Sequence, residues 1–113
     1  MHEISVAQSV LDIAFREMEK HASSGINKIK ISIGEFSGVV KEALEFAFEV
    51  LTPETAAAGA MIEIDVVPLA ANCRRCGPLA CRLNDLNFLC PTCGEAVSLT
   101  AGREMKVDYL DLE

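Results

Sequence analysis

The sequence contains no tryptophan and only one tyrosine, and aromatic residues make up just 5% of its 113 residues. A core without large rings must be built from isoleucine, valine, leucine and alanine, and it will be thin in so short a chain. Half of the residues are hydrophobic, so one ordinary domain or two very small ones are expected to fold. A bound metal would add stability that such a core lacks.

The chain also lacks a run of about 18 apolar residues, which a membrane-spanning helix requires. Its first residues, MHEISVAQSVLDIAFREMEK, have no basic segment, no uninterrupted apolar stretch and no small-residue cleavage site, so we expect no signal peptide. Basic residues are outnumbered 10 to 17 by acidic ones, and the net charge is -7. This charge disfavours nucleic acid and anionic membrane surfaces as partners. We therefore expect a cytoplasmic protein.

Two segments have the apolar spacing of amphipathic helices. The first extends from Ile4 to Met18, with Ser5 and Gln8 as a capping box and 23–25 as the stop. A second helix is predicted to end before Pro53, and its buried side is marked by Ala43, Leu44, Ala47, Phe48 and Leu51. The stretch 52–59 is expected to add a short turn of helix, capped by Thr52 and stopped by Gly59.

Three segments alternate in the manner of half-buried strands, at 28–33, 61–67 and 103–112. A strand, helix, strand segment favours a parallel crossover, and the last strand can return antiparallel. The predicted fold class is α+β, with a small three-stranded mixed sheet, two helices and an inserted zinc-ribbon-like lobe. The expected boundaries are 1–67 with 103–113 for the α/β lobe, and 68–102 for the inserted lobe, which holds all the cysteines.

Four of the five cysteines form two pairs, CRRC at 73–76 and CPTC at 90–93. Each C-x2-C places two thiolates on one side of a tight turn, and two facing turns make a tetrahedral sulfur cage. Zinc is the expected occupant, held by Cys73, Cys76, Cys90 and Cys93. Gly77 and Gly94 follow the pairs, where a backbone without Cβ can turn its amides towards the sulfurs.

Other interpretations of the pairs are two disulfides, redox C-x2-C pairs, or a single iron, which spacing alone does not distinguish from zinc. The odd cysteine, Cys81, is expected to be a small buried hydrophobe. Arg74, Arg75 and Arg82 make this segment basic, but four thiolates on a divalent metal carry a charge of -2 that largely offsets them. They need not contact nucleic acid.

The beginning of the chain, Met1 and His2, can form a second metal site of different chemistry. The Met1 amine, the deprotonated His2 amide and the His2 imidazole are able to close adjoining chelate rings, and planar nitrogen ligands suit Ni(II) or Cu(II). His21 is the only other histidine, and about 28 Å of helix at 1.5 Å per residue separates it from His2. We expect His21 to be exposed at the end of the helix.

Taken together, the MHE start, the KIKISIGEFSGV segment before a helix, the acidic strand MIEIDVV and the CxxC and CPxC pairs resemble the HypA/HybF family over essentially the whole chain. The resemblance implies a nickel metallochaperone that delivers Ni(II) during NiFe hydrogenase maturation and carries structural zinc. It implies nickel binding by His2, with Met1 and Glu3 as neighbours in the motif, and zinc binding by the four paired cysteines.

The implied partners are a HypB-like nickel-insertion GTPase and the hydrogenase large subunit. Some family members are expected to use a further histidine from the zinc lobe, but no histidine lies between 68 and 113. Cys81 has no counterpart in that scheme. No phosphate loop or nucleophile paired with a base indicates an enzyme. The competing hypotheses are a zinc-ribbon binding module in transcription or translation and a small redox protein.

Overall fold

The fold was analysed in a computed structural model that describes residues 3–80 and 88–113. The elements in chain order are α1 (Glu3–Lys20), β1 (Ile26–Gly34), α2 (Lys41–Leu51), β2 (Met61–Val67), β3 (Ala70–Cys73), β4 (Gly77–Ala80), β5 (Val97–Ala101) and β6 (Met105–Leu112). No helix in the described ranges is long and apolar enough to cross a membrane.

The larger sheet has the strand order β2-β1-β6, with β1 parallel to β2 and antiparallel to β6. Ile31 at its centre is opposite Ile64 on one side and Val107 on the other. The predicted α+β class and the mixed pairing of this sheet are therefore confirmed. β1 extends beyond the predicted 28–33 at both ends, and β6 begins at Met105 instead of 103.

The core of this sheet is aliphatic, as the scarcity of aromatic residues requires. Ile29, Ile31 and Ile33 of β1 are at most 1% exposed, and both helices cover them. The helices bury small or aliphatic side chains and one ring, namely Val6, Ala7, Val10, Leu11, Ala14, Leu44, Ala47 and Phe48. Burial of such side chains stabilises the fold by about 1.5–3 kcal/mol for each large one.

A bulge in β6 changes which side chains face solvent. Lys30 pairs with Tyr109 and Ile31 with Val107, so Asp108 has no partner on β1. The Ser32 hydroxyl donates a hydrogen bond to Asp108 over 2.5 Å, and the Lys30 ammonium lies 3.4 Å from it. These two contacts hold the pKa of Asp108 below its usual value. The bulge thus places the partly exposed Asp108 carboxylate within reach of both Ser32 and Lys30.

The smaller sheet has the order β4-β3-β5 and is antiparallel throughout. It lies between β2 and β6 in the chain, with Cys73 at the end of β3 and Gly77, the residue after Cys76, at the start of β4. Leu69, just before β3, and Ala71 within it are buried at 1% and 2%, but neither belongs to the core of the larger sheet. The described part of this segment therefore has little apolar core of its own.

The predicted capping box at the start of α1 is wrong. Ser5 lies inside the helix, where its carbonyl accepts a hydrogen bond from the Ser9 hydroxyl at 3.0 Å. The Gln8 amide donates to Asp12 instead of reaching back to a cap. Because the backbone is already helical at Glu3, Ser5 is not the N-cap residue, and the backbone N–H of Gln8 lies inside the helix instead of at its start.

Segment 52–59 forms turns and not the predicted short helix. Thr52 ends α2 as its C-cap, and its hydroxyl donates to the Phe48 carbonyl at 2.8 Å. Glu54 then has a φ of 66°, a left-handed conformation that interrupts a right-handed helix.

The end of α1 is set by Ala22 and not by the predicted stop at 23–25. The Ser23 amide donates to the Met18 carbonyl and the Ala22 amide to the Glu19 carbonyl, while Ala22 has a φ of 51°. This is a Schellman motif in which alanine occupies the left-handed position that usually holds glycine.

Replacing Ala22 by glycine should stabilise the protein. Relief of left-handed strain is worth about 1–2 kcal/mol, and the larger backbone entropy of glycine in the unfolded chain offsets about 0.4–1 kcal/mol. We expect urea denaturation to show a net gain of roughly 0.5–1 kcal/mol by this difference. The matched control, Ala43→Gly inside α2, should lose about 1 kcal/mol. Equal losses in both variants would contradict the assigned helix end.

The two sheets meet where Gly34 crosses the segment that returns from β5. The Gly34 amide donates to the Glu104 carbonyl, and the Phe36 amide donates to the Gly102 carbonyl, each at 2.6 Å. A Cβ at Gly34 would overlap the carbonyl group of Gly102. Glycine is therefore required here for close approach of two backbones.

Gly34→Ala should be severely destabilising, by about 3 kcal/mol or more, because neither backbone can move without breaking the ladder. Gly38→Ala is the matched control: Gly38 has a φ of 82°, but nothing lies within 4 Å of an added Cβ. That variant should lose only about 1 kcal/mol. Thermal unfolding that ranks the two variants in the opposite order would refute the close approach.

Candidate metal centre

Two turns place the four paired cysteines. Cys73 is the last residue of β3, and Cys76 directly precedes Gly77 at the start of β4, so both lie at the turn of one hairpin. Cys90 and Cys93 lie on a second turn, closed by a hydrogen bond from the Gly94 amide to the Cys90 carbonyl at 2.8 Å. The Cys90 amide in turn donates to the Glu95 carbonyl at 2.7 Å, which holds the base of this turn together.

The two turns face each other and bring all four sulfurs into one cluster. Every pair of Sγ atoms among Cys73, Cys76, Cys90 and Cys93 lies within 4.8 Å, and those of Cys73 and Cys93 are 3.6 Å apart. A tetrahedral zinc with bonds of about 2.3 Å requires sulfur separations of about 3.8 Å. The donor set therefore fits a single four-coordinate metal. All four cysteines are unbridged in this arrangement.

The cluster is buried on one side and open on the other. Cys73 and Cys90 are 1% and 3% exposed, Cys93 is half-buried, and Cys76 is exposed. The backbone amides of Cys93 and Thr92 lower the pKa of Cys90 to about 6. Hydrogen bonding with the sulfurs of Cys93 and Cys90 raises the pKa of Cys76 to about 12. A metal binds the thiolate form, so a divalent cation would displace the proton that Cys76 holds.

The amides that stabilise the Cys90 thiolate belong to residues just before Gly94. Gly94 itself has a φ of 77°, which closes the turn and brings these amides round to the sulfur. The structure agrees with the expectation that a glycine allows this tight turn. The amides that stabilise the Cys90 thiolate, however, belong to Thr92 and Cys93 and not to Gly94.

The arginines near the cluster point to solvent. Arg74 and Arg75 are exposed, and Arg75 lies 3.9 Å from the Glu95 carboxylate. Arg82, like Cys81, lies outside the described residues. An exposed ion pair of this length contributes little to stability.

Of the proposed nickel motif, only Glu3 lies among the described residues, and Met1 and His2 lie outside them. One Glu3 carboxylate oxygen accepts a hydrogen bond from the Val40 amide at 3.3 Å. Val40 is the N-cap of α2, and its own side chain cannot cap the helix. Glu3 therefore ties the first turn of α1 to the beginning of α2, a contact that sequence periodicity did not reveal.

His21 lies at the opposite end of α1 from Glu3. Its side chain is 66% exposed, and its Nε2 is 3.7 Å from the Glu17 carboxylate. Since α1 has 18 residues, about 27 Å of helix separates its two ends. His21 is thus exposed near the helix end, as expected, and is far from Glu3.

Sequence reasoning also missed the contacts between the two sheets. A Glu35 carboxylate oxygen accepts a hydrogen bond from the Leu69 amide at 3.0 Å. The Phe36 ring packs against Phe88, two residues before Cys90, with ring centroids 6.4 Å apart. The sequence places these side chains in the GEFSG turn at 34–38. That position does not indicate which residues they contact.

The fold and the cluster define a class: a small α+β protein with a mixed sheet, two helices and a four-cysteine metal site. A family model described as "Hydrogenase/urease nickel incorporation, metallochaperone, hypA" matches residues 1–112. The chain therefore belongs to the HypA family, as the resemblance in its motifs predicted.

Individual relatives match along the entire chain. Proteins called hydrogenase maturation factor HypA from Geobacter sulfurreducens and Solidesulfovibrio magneticus are 39% and 38% identical, each with 100% of both chains covered. The solution structure of the Ni metallochaperone HypA from Helicobacter pylori has a TM-score of 0.70 at 26% identity, covering 99% of this chain and 97% of that one.

Proposed function

We propose that this protein is a nickel metallochaperone that delivers Ni(II) during NiFe hydrogenase maturation, and that it catalyses no reaction. The observation that carries the proposal is the four-sulfur cluster in a chain that matches the HypA family from residue 1 to 112. Relatives that this chain covers over 100% and 98% of their own length are named hydrogenase maturation factors. The proposed partners are a HypB-like nickel-insertion GTPase and the hydrogenase large subunit, in the cytoplasm and without nucleic acid or membrane.

The proposed nickel ligands are the Met1 amine and the His2 imidazole and deprotonated amide, with Glu3 completing the motif. Nitrogen donors in one plane suit Ni(II), whereas tetrahedral thiolates suit zinc. The match of the family model from residue 1 onward supports this assignment. Glu3, the described residue of the motif, lies in the first turn of α1 and accepts a hydrogen bond from the Val40 amide at the beginning of α2.

The proposed zinc ligands are Cys73, Cys76, Cys90 and Cys93. Zinc would supply four bonds to a segment whose described part buries few apolar side chains, and its role would be structural. We also propose that 68–102 acts as a zinc lobe distinct from the lobe formed by 1–67 and 103–113. The separate sheet that contains β3, β4 and β5 supports this division.

Cys73→Ser should lose zinc and unfold the zinc lobe while the larger sheet remains folded. Structural zinc is worth about 10–16 kcal/mol in small peptides, and the described residues of this lobe bury few apolar side chains that could replace it. Metal analysis should show zinc falling from one equivalent to none. Amide hydrogen exchange should become fast in 70–80 and 88–101 but stay slow in β1.

Cys81→Ser is the matched control, because it makes the same chemical change at the one cysteine that belongs to neither C-x2-C pair. It should retain one equivalent of zinc and slow exchange in the zinc lobe. If Cys73→Ser keeps the protection of the parent protein, the structural role of the cluster is wrong.

Nickel binding should require a free N-terminus. An N-terminal extension removes the amine, and His2→Ala removes the imidazole, so both changes should weaken nickel binding at least tenfold in a calorimetric titration of zinc-loaded protein. Mild acidification should act similarly, since the amine and imidazole have reference pKa values of about 7.7–8.0 and 6.5 and must lose protons to bind.

His21→Ala is the matched control and should leave nickel affinity unchanged, because His21 lies at the far end of α1. Zinc content should be the same in every variant. Equal nickel affinity in tagged and untagged protein would move the nickel site away from the N-terminus.

A further inference from the structure

The four paired cysteines lie on two short hairpins. β3 and β4 form the first cysteine hairpin. Residues 88–97 form the second, because the Val97 amide donates to the Phe88 carbonyl at 2.9 Å and an antiparallel bridge follows. The two hairpins are joined where Cys73 pairs with Val97. This joint is at the base of the second hairpin, so other contacts must fix the direction in which its cysteine turn points.

Two adjacent residues after β1 supply such contacts, one for each hairpin. Glu35 accepts the hydrogen bond from the Leu69 amide at 3.0 Å, and Leu69 directly precedes the first cysteine hairpin. The Phe36 ring packs against Phe88 at the base of the second hairpin. We call Glu35 and Phe36 the positioning pair. Because these two residues are neighbours in the chain, they relate one hairpin to the other.

The positioning pair is itself held in place by the backbone. The Glu35 amide donates to the Val67 carbonyl at 2.8 Å, and the Phe36 amide donates to the Gly102 carbonyl at 2.6 Å. The Arg103 guanidinium lies 5.9 Å from the centroid of the Phe36 ring, which is a cation–π contact. The pair is thus attached to both chain segments that pass between the two sheets.

Phe88 has a backbone conformation that needs support. Its φ is 58°, in the left-handed region that is unfavourable for a bulky residue. Such a conformation persists where the surrounding contacts hold it. The contacts of Phe88 include the hydrogen bond from Val97 and the Phe36 ring. Cys90 follows two residues later and is 3% exposed, so a change in the backbone at Phe88 would displace its sulfur.

We propose that Glu35 and Phe36 are positioning residues for the zinc site, which hold the two cysteine hairpins at the separation that zinc requires without binding the metal themselves. This inference rests on the proposed zinc ligands. Removal of a residue that orients metal ligands typically weakens metal binding about 10–100-fold. Holding the four sulfurs in place raises affinity because the metal does not have to order the hairpins when it binds.

The test is the transfer of zinc from the untagged, zinc-loaded protein to a chromophoric chelator, which measures zinc affinity and the rate of release. Phe36→Ala should weaken zinc binding at least about tenfold and speed its release, because Phe88 loses its support. Phe36→Tyr keeps the ring and should bind zinc like the parent protein. The matched control is Phe46→Ala, which removes a 64% exposed ring from α2 and should leave zinc affinity unchanged.

The second member of the positioning pair is tested in the same way. Glu35→Ala removes the acceptor for the Leu69 amide and should weaken zinc binding several-fold. Glu35→Gln keeps a side-chain oxygen that accepts this hydrogen bond, so it should restore most of the affinity. Glu49→Ala is the matched control, because it removes one exposed carboxylate from α2 and changes the net charge equally. It should bind zinc like the parent protein.

A double-mutant cycle isolates the contact between the two rings. If Phe36 acts through Phe88, the variant with both Phe36→Ala and Phe88→Ala should bind zinc no more weakly than Phe88→Ala alone. Slow amide exchange in β1 should persist in every variant, because Phe36 and Phe88 lie outside the core of the larger sheet.

Cobalt(II) bound in place of zinc provides a spectroscopic measurement of the site. Its visible absorption depends on the arrangement of the four sulfurs, so the spectrum should change in Phe36→Ala and not in Phe46→Ala. A general loss of stability would leave the spectrum of the bound ion unaltered.

The positioning role is overturned by zinc affinity in Phe36→Ala equal to that of the parent, by equal losses in Phe36→Ala and Phe46→Ala, or by additive losses in the cycle. The proposed zinc site is decided separately, by whether the parent protein holds zinc that Cys73→Ser loses. A parent protein without zinc would overturn both proposals, whereas a zinc-binding parent with unaffected Glu35 and Phe36 variants would overturn the positioning role alone.

Discussion

The row of isoleucines on β1 is the constraint on which most of this structure depends. Ile29, Ile31 and Ile33 are almost completely buried under both helices, and β1 is the only strand of the larger sheet that pairs on both edges. With 5% aromatic residues, no large ring could replace this strip as the centre of the core. β2 pairs with β1 in parallel and β6 pairs with it in antiparallel orientation. Both strands and both helices contribute apolar side chains to the core cluster that contains these isoleucines.

The end of β1 connects this core to the cysteine cluster. Gly34 passes so close to Gly102 that only a backbone without Cβ fits, and the next two residues contact the smaller sheet through the Leu69 amide and the Phe88 ring. Because Phe88 is two residues from Cys90, the turn after β1 supports one side of the cluster. The same segment continues to Val40, whose amide donates a hydrogen bond to Glu3. The short stretch from Gly34 to Val40 therefore contacts residues near the cysteine cluster and one residue of the proposed nickel motif.

The proposed function gives two metals to ligand sets of different preference. The sulfur cluster has four soft donors with separations suited to tetrahedral zinc, two of them on buried cysteines. The nitrogen donors proposed at Met1 and His2 suit planar Ni(II) and would bind it only after losing protons. A cargo metal needs a site that releases it, and a structural metal needs one that does not. The proposed function assigns these roles to ligand sets with those properties.

The sequence by itself determined the two main helices, the three strands of the larger sheet and the pairing of cysteines into one candidate site, because periodicity and C-x2-C spacing are local signals. The family resemblance also followed from local motifs. Only the tertiary structure decided the left-handed end of α1 at Ala22, the approach of Gly34 to Gly102 and the contact between Glu3 and Val40. The bulge at Asp108 also belongs here, because Asp108 accepts its hydrogen bond from Ser32, 76 residues earlier. Such features depend on atoms that are distant in the chain, and their partners exist only once the core has formed.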